Sequence, residues 1–230
     1  MRMNWFIGNR YRVLLLSLTA LVILTPLLRA TAFTRILLDF LTSIVFLAAL
    51  WAVFKRHRTR MIAVLFGIPT LIGLWTGYLI PGIPKFPLAV SFHAIAAIFF
   101  SFSVVAMLRG LFNDRKISTD SIYGAFCGYL MAGLVFGNLY SLVELNVPGS
   151  FAGDAFKDRS VHDHHFLLTY FSFLTITTVG YGDVIPASDS ARGLAVIEAI
   201  FGQFYIAVLV AELIGRRTGQ AALPPSEPRP

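Results

Sequence analysis

The stretch TITTVGYGDV, residues 175–184, follows the apolar run FLLTYFSFLTI at 166–176, and together they decide the fold. If helical, that run covers about 16 Å at 1.5 Å per residue, roughly half the hydrocarbon thickness of a bilayer. A helix that stops there leaves its continuation at membrane depth. Irregular backbone at that depth is stable only when it is buried in protein or lines water. Gly180 and Gly182 alternate with Val179 and Tyr181, and glycine accepts backbone angles closed to other residues. Alternating hand allows successive carbonyls to point the same way.

The rest of the sequence supplies the membrane. Of 230 residues, 57% are hydrophobic and 13% charged. That composition marks an integral membrane protein and leaves too little polar surface to cover a soluble core. A span needs about 20 mostly apolar residues, and the stretches 11–28, 36–54, 61–80, 88–108, 121–143 and 194–214 meet that length. With both termini on one side, thirteen of the 19 Lys and Arg residues fall on that side, among them Arg10, Arg12, Lys55, Arg56, Arg109 and Arg216. Both termini are therefore expected in the cytoplasm. The net charge of +7 is read as anchoring at the inner leaflet, with lipid rather than nucleic acid as the partner. A signal peptide ending near Ala30-Thr31-Ala32 is the lesser alternative for the first span. The single Cys127 lies in the fifth span and reads as a packing residue.

The chain divides into a four-span front block at 1–108, a cytoplasmic linker at 109–120, a rear unit at 121–217 and a tail at 218–230 whose AALPPSEPRP composition reads as disordered. In the fifth span Gly124, Gly128, Gly133 and Gly137 form two pairs at a spacing of four, which permits close backbone approach. No phosphate loop, metal-ligand pair on a span or nucleophile with an adjacent base is present, so the chain is not read as an enzyme and no cofactor is expected.

Thr177-Thr178-Val179-Gly180-Tyr181-Gly182-Asp183 resembles the selectivity filter of the potassium-channel family. The resemblance covers about 121–217, which makes the rear unit a pore unit, and takes in outer helix, turret, pore helix, filter and inner helix. It implies an all-α membrane protein of six transmembrane helices plus a re-entrant pore helix and filter loop, assembled as a homotetramer in a bacterial inner membrane. Stacked rings of carbonyl oxygens would replace the hydration shell of a potassium ion, an account that belongs to the family as a whole. Carried over residue by residue, the carbonyls of Thr178, Val179, Gly180 and Tyr181 are the ion ligands, and Gly182 supplies backbone freedom. Thr177 and Asp183 support the filter, with the Tyr170 hydroxyl as donor to Asp183. Phe171 stands where many relatives have a tryptophan that donates to the filter tyrosine, and a phenyl ring cannot donate. A non-conducting scaffold or regulatory subunit and a poorly selective cation pore are the rival readings.

In the sixth span Gln203, Ile206, Val210 and Ile214 share a helix face, which the resemblance aims at the aqueous cavity. Gly202 is either a gating hinge or a glycine needed for close packing. Glu198 and Glu212 lie fourteen residues apart on a face turned away from Gln203. Glu198 is expected to hydrogen-bond behind the pore helix, with a protonated form among the readings, and Glu212 either meets Arg109, Arg115 or Lys116 in the linker, coupling front block to gate, or is simply hydrated. From Glu144 to Arg192 the segment holds six acids against three bases, a formal minus three per chain and minus twelve for four copies, which concentrates cations. His162, His164 and His165 flank Asp163 and read as a solvated turret, with a metal site or proton sensing as lesser alternatives. The fourth span, 88–108, contains no Lys or Arg, so strong voltage gating is not expected.

Overall fold

A computed structural model describes residues 10–27, 31–53, 57–79, 84–113, 119–156 and 161–221. Helices α1 (Arg10–Leu27), α2 (Ala32–Val53), α3 (His57–Leu79) and α4 (Lys85–Asn113) form the front of the chain. They are followed by α5 (Thr119–Asn146), a short strand β1 (Phe151–Ala152), one 3-10 turn (Asp154–Phe156), α6 (Val161–Ile176), β2 (Ile185–Pro186) and α7 (Asp189–Ala221). Among the described residues four stretches are long and apolar enough to cross a bilayer: Phe33–Ala52, Lys85–Phe112, Thr119–Asn146 and Asp189–Glu212. The first and third stretches read as spans are also helical, as α1 and α3. Their first turns are basic, RYR in α1 and HRTR in α3, and the apolar part of α3 is the shorter Val64–Thr76.

The front block and the pore unit share one core. Leu14 and Leu18 of α1, Val45 and Phe46 of α2, Phe99 and Phe100 of α4, and Cys127 and Met131 of α5 are all buried in a single cluster. Its centre is aromatic: the Phe46 ring lies 5.1 Å from Phe99 and 4.7 Å from Phe100, centroid to centroid. The Cys127 thiol donates to the Tyr11 carbonyl at 3.4 Å, which ties α5 to α1. A second, smaller cluster lies behind the loop at 177–184 and joins Phe136 and Tyr140 of α5, Phe151 of β1, Leu167, Leu168 and Phe171 of α6, Val184, and Ala191 of α7.

α6 starts earlier than the apolar run suggests. Its 16 residues give a length of about 24 Å, so the HDHH group occupies its first turns rather than a loop. α7 continues to Ala221, past the boundary placed at 217, and residues 222–230 lie outside the described ones.

Candidate ion-conduction site

The loop after α6 begins by folding back onto the end of that helix. The Leu174 carbonyl accepts from both Val179 N at 2.9 Å and Gly180 N at 3.2 Å, and the Thr175 carbonyl accepts from Thr178 N at 3.0 Å. From there the backbone alternates in hand: φ is +61° at Thr178, +53° at Gly180 and +79° at Gly182, with Val179 and Tyr181 on the ordinary side. The glycines occupy the left-handed region freely, whereas a β-branched threonine there is strained. Residues 177–183 are exposed throughout, Tyr181 by 73%. A strand lying bare on one chain leaves its backbone groups open to whatever stands opposite.

Three attachments hold this strand from behind. The Tyr170 hydroxyl donates to Asp183 Oδ2 at 2.9 Å, bringing together the two residues paired from sequence. The Tyr129 hydroxyl of α5 donates to the Ile176 carbonyl at 2.9 Å. That carbonyl is one of the last in α6, where no intrahelical donor remains. Gly202 of α7 lies against the same carbonyl, and a side chain at 202 would collide with it. Close packing is thus the reason the structure gives for a glycine at this position.

The far end of the strand is clasped to the turret. β1 and β2 pair antiparallel with Phe151 opposite Pro186 and Ala152 opposite Ile185, and the Ser150 carbonyl accepts from Ala187 N at 2.7 Å. Glu144 orders the approach: its carboxylate accepts from Gly149 N at 3.0 Å and Phe151 N at 3.1 Å. Phe171 points away from this loop into the second cluster, with its ring 5.1 Å from Tyr140 and 5.5 Å from Phe151.

Behind α6 the structure gathers groups that sequence alone left scattered. Glu198 is 0% exposed. Its Oε2 accepts from the Tyr140 hydroxyl of α5, and its Oε1 lies 2.5 Å from Ser172 Oγ of α6. Gly137 lets α6 approach α5, since a Cβ there would stand 3.0 Å from the Thr169 Cα. At the other end of α6, His165 Nδ1 meets Ser141 Oγ at 2.9 Å, and its ring lies 4.6 Å from that of His93 in α4. His93 Nδ1 in turn meets Asn138 Oδ1 at 2.9 Å, joining the front block to α5. The His164 ring packs edge-on against Phe156 at 4.9 Å. Among the described residues no three His, Cys, Asp or Glu side chains gather as a metal site, and the side chains of His162 and Asp163 lie outside the described ones.

Of the residues assigned to the cavity, Gln203, Ile206, Val210 and Ile214 are all exposed on α7. Glu212 is half-buried and Arg109 exposed, while Arg115 and Lys116 lie outside the described residues. Sequence reasoning missed Tyr129, Tyr140, Ser172 and the β1–β2 clasp. Nothing local marks them, because their partners lie 47, 58, 39 and about 34 residues away along the chain.

Comparison with known proteins covers this same region. A family described as Ion channel matches residues 126–217. Protein LctB of Bacillus caldotenax is 32% identical over 103 residues, which are 44% of this chain and 75% of LctB. The chain belongs to this ion-channel family. The channel is also similar to the calcium-gated potassium channel TvoK of Thermoplasma volcanium, 27% identical over 99 residues, 43% of this chain. It spans only 26% of the length of TvoK. No solved structure matches the chain at a significant level. The chain is therefore an integral membrane protein, almost wholly helical among its described residues, that carries an ion-channel domain at 126–217.

Proposed function

We propose that the chain is a potassium-selective channel working as a symmetric homotetramer, in which the Thr178, Val179, Gly180 and Tyr181 carbonyls of four copies ring the ion path. The observation that carries this reading is the alternating hand at 178, 180 and 182 in a strand that is exposed along its length in the single chain. At membrane depth such backbone must be packed or wet, and copies around an axis satisfy both conditions. The similarity to TvoK, which is named as a potassium channel, supports potassium as the ion.

In this reading α1 to α5 and α7 span the membrane, α6 enters it partway, and both termini face the cytoplasm of a bacterial cell. The front block at 1–108 packs on the pore unit at 121–217 and does not sense voltage strongly. The ion is substrate, and the chain needs no cofactor. Asp183 and the other acids around the mouth raise the local cation concentration. Gln203, Ile206, Val210 and Ile214 line the cavity below the filter.

Purified protein in liposomes tests both parts. Potassium flux well above sodium flux is expected, together with a detergent-corrected mass of four chains. Equal rates for the two cations would remove the selectivity, and a conducting monomer or dimer would remove the assembly.

A further inference from the structure

Three oxygen contacts meet around Glu198, and counting their hydrogens assigns its state. Tyr140 Oη touches Glu198 Oε2 and brings one hydrogen. Ser172 Oγ has a single hydrogen but two oxygen neighbours, the Gly133 carbonyl at 2.7 Å and Glu198 Oε1 at 2.5 Å. A backbone carbonyl can only accept, so the 2.7 Å contact to Gly133 is a hydrogen bond only when the serine hydrogen points there. The contact between Ser172 and Oε1 then lacks a hydrogen unless the carboxyl group supplies it. With an ionised carboxylate, the serine would either forsake Gly133 or face an acceptor with its own lone pair.

The surroundings agree. Ser172 and Glu198 are both fully buried, as is Tyr140. On the α5 side the titratable neighbours are Tyr140 and, at longer range, Tyr129. On the α6 side the partner is Ser172, and no Lys or Arg contact is present among the described residues. An ionised carboxylate sealed from water without a cation is very costly, whereas a neutral acid making two hydrogen bonds is cheap.

We propose that Glu198 is a neutral carboxylic acid that positions the pore helix by donating a hydrogen bond. Its Oε1 proton points to Ser172, Ser172 passes its own hydrogen to Gly133 of α5, and Oε2 accepts from Tyr140. Inner helix, pore helix and outer helix are thereby joined through one side chain, about one turn of α6 above the residues that lead into the filter. The proton stays on Glu198 throughout; nothing is transferred. The role in conduction rests on the channel reading above, whereas the protonation does not.

The test uses the purified full-length protein in lipid at neutral pH. Infrared difference spectra of wild type against Glu198→Gln should reveal the carbonyl stretch of an un-ionised carboxylic acid that is lost in the variant. In liposomes Glu198→Leu, which abandons both hydroxyls, should lower potassium flux about tenfold. Glu198→Gln should recover most of that loss, because its amide can donate to Ser172 while its oxygen accepts from Tyr140. A missing acid band overturns the proposal, and so does a glutamine variant as impaired as the leucine one. If no variant and no wild type conducts while the acid band is present, the proton assignment stands and the channel reading falls.

Discussion

The front block and the pore unit both bury hydroxyl groups, but they satisfy them differently. In the front block Ser17 donates to Leu14, Thr25 to Leu21, Thr70 to Phe66 and Ser103 to Phe99, each within its own helix. Such bonds quiet a polar group in an apolar setting without saying where the next helix must sit. Trp75 Nε1 to Ser43 Oγ, at 3.0 Å, is a cross-helix bond of that block. In the pore unit Ser141 and Thr177 also bond within their own helix or its end, but four hydroxyls reach across: Tyr129 to Ile176, Ser172 to Gly133, Tyr140 to Glu198, and Tyr205 to Ala125 at 2.8 Å. Apolar contact is non-directional and tolerates repacking, whereas a hydrogen bond fixes distance and angle. The lesson is that directional bonds between elements concentrate where a backbone conformation must be held, and volume-filling contacts suffice elsewhere.

The comparison can be broken most forcefully at the strand itself. Gly180→Ala meets no neighbouring atom within the chain, so its effect is conformational. Left-handed alanine costs about 1–2 kcal/mol per copy, and potassium selectivity should be lost while membrane insertion persists. Unchanged potassium-to-sodium flux ratios in that variant would detach the filter from these residues. A smaller effect is expected from Tyr129→Phe, which deletes one cross-element bond worth about 1 kcal/mol. Sustained potassium currents in bilayers should decay several-fold faster; an unaltered time course would mean that the Ile176 carbonyl needs no restraint. Smaller still, on selectivity, is Phe99→Leu in the front block. It should cost less than the roughly 3–5 kcal/mol of full truncation and lower the thermal midpoint, with the flux ratio unmoved. A changed ratio would show that the front core also sets filter geometry. The smallest response is to voltage. α4 carries Lys85 at its start and Arg109 near its end with no charge between, so open probability should be nearly flat. Steep gating needs about 3–4 moving charges per subunit, and a steep curve would require charge movement elsewhere.

Much of this was legible in the sequence because it is local or periodic. Long apolar runs announced helices, and the glycines at 180 and 182 announced left-handed backbone, which is what their φ values are. The helix face that turns Glu198 away from Gln203 also followed from periodicity. The start of α6 did not, because VHDHH carries no apolar repeat, although polar residues suit the first turn of a helix. The partners of Glu198 were out of reach for another reason. Tyr140 and Ser172 look like any hydroxyl in an apolar helix, and only the packing of α5, α6 and α7 singles them out. Two-residue strands such as β1 and β2 are below the length at which alternation can be read.

Among the described residues the inner helix α7 is most deeply seated along its upper part. Gly202 is seated against Ile176 and Tyr205 reaches Ala125, but from 204 to 215 Tyr205 alone is buried among the described residues. Below that anchorage most of the described side chains of the helix are exposed on the single chain. In the proposed four-copy assembly that exposed surface would lie against neighbouring copies or the ion path. If the chain assembles as proposed, movement of one such helix is expected to be felt by its neighbours, and opening is then expected to be concerted rather than one subunit at a time.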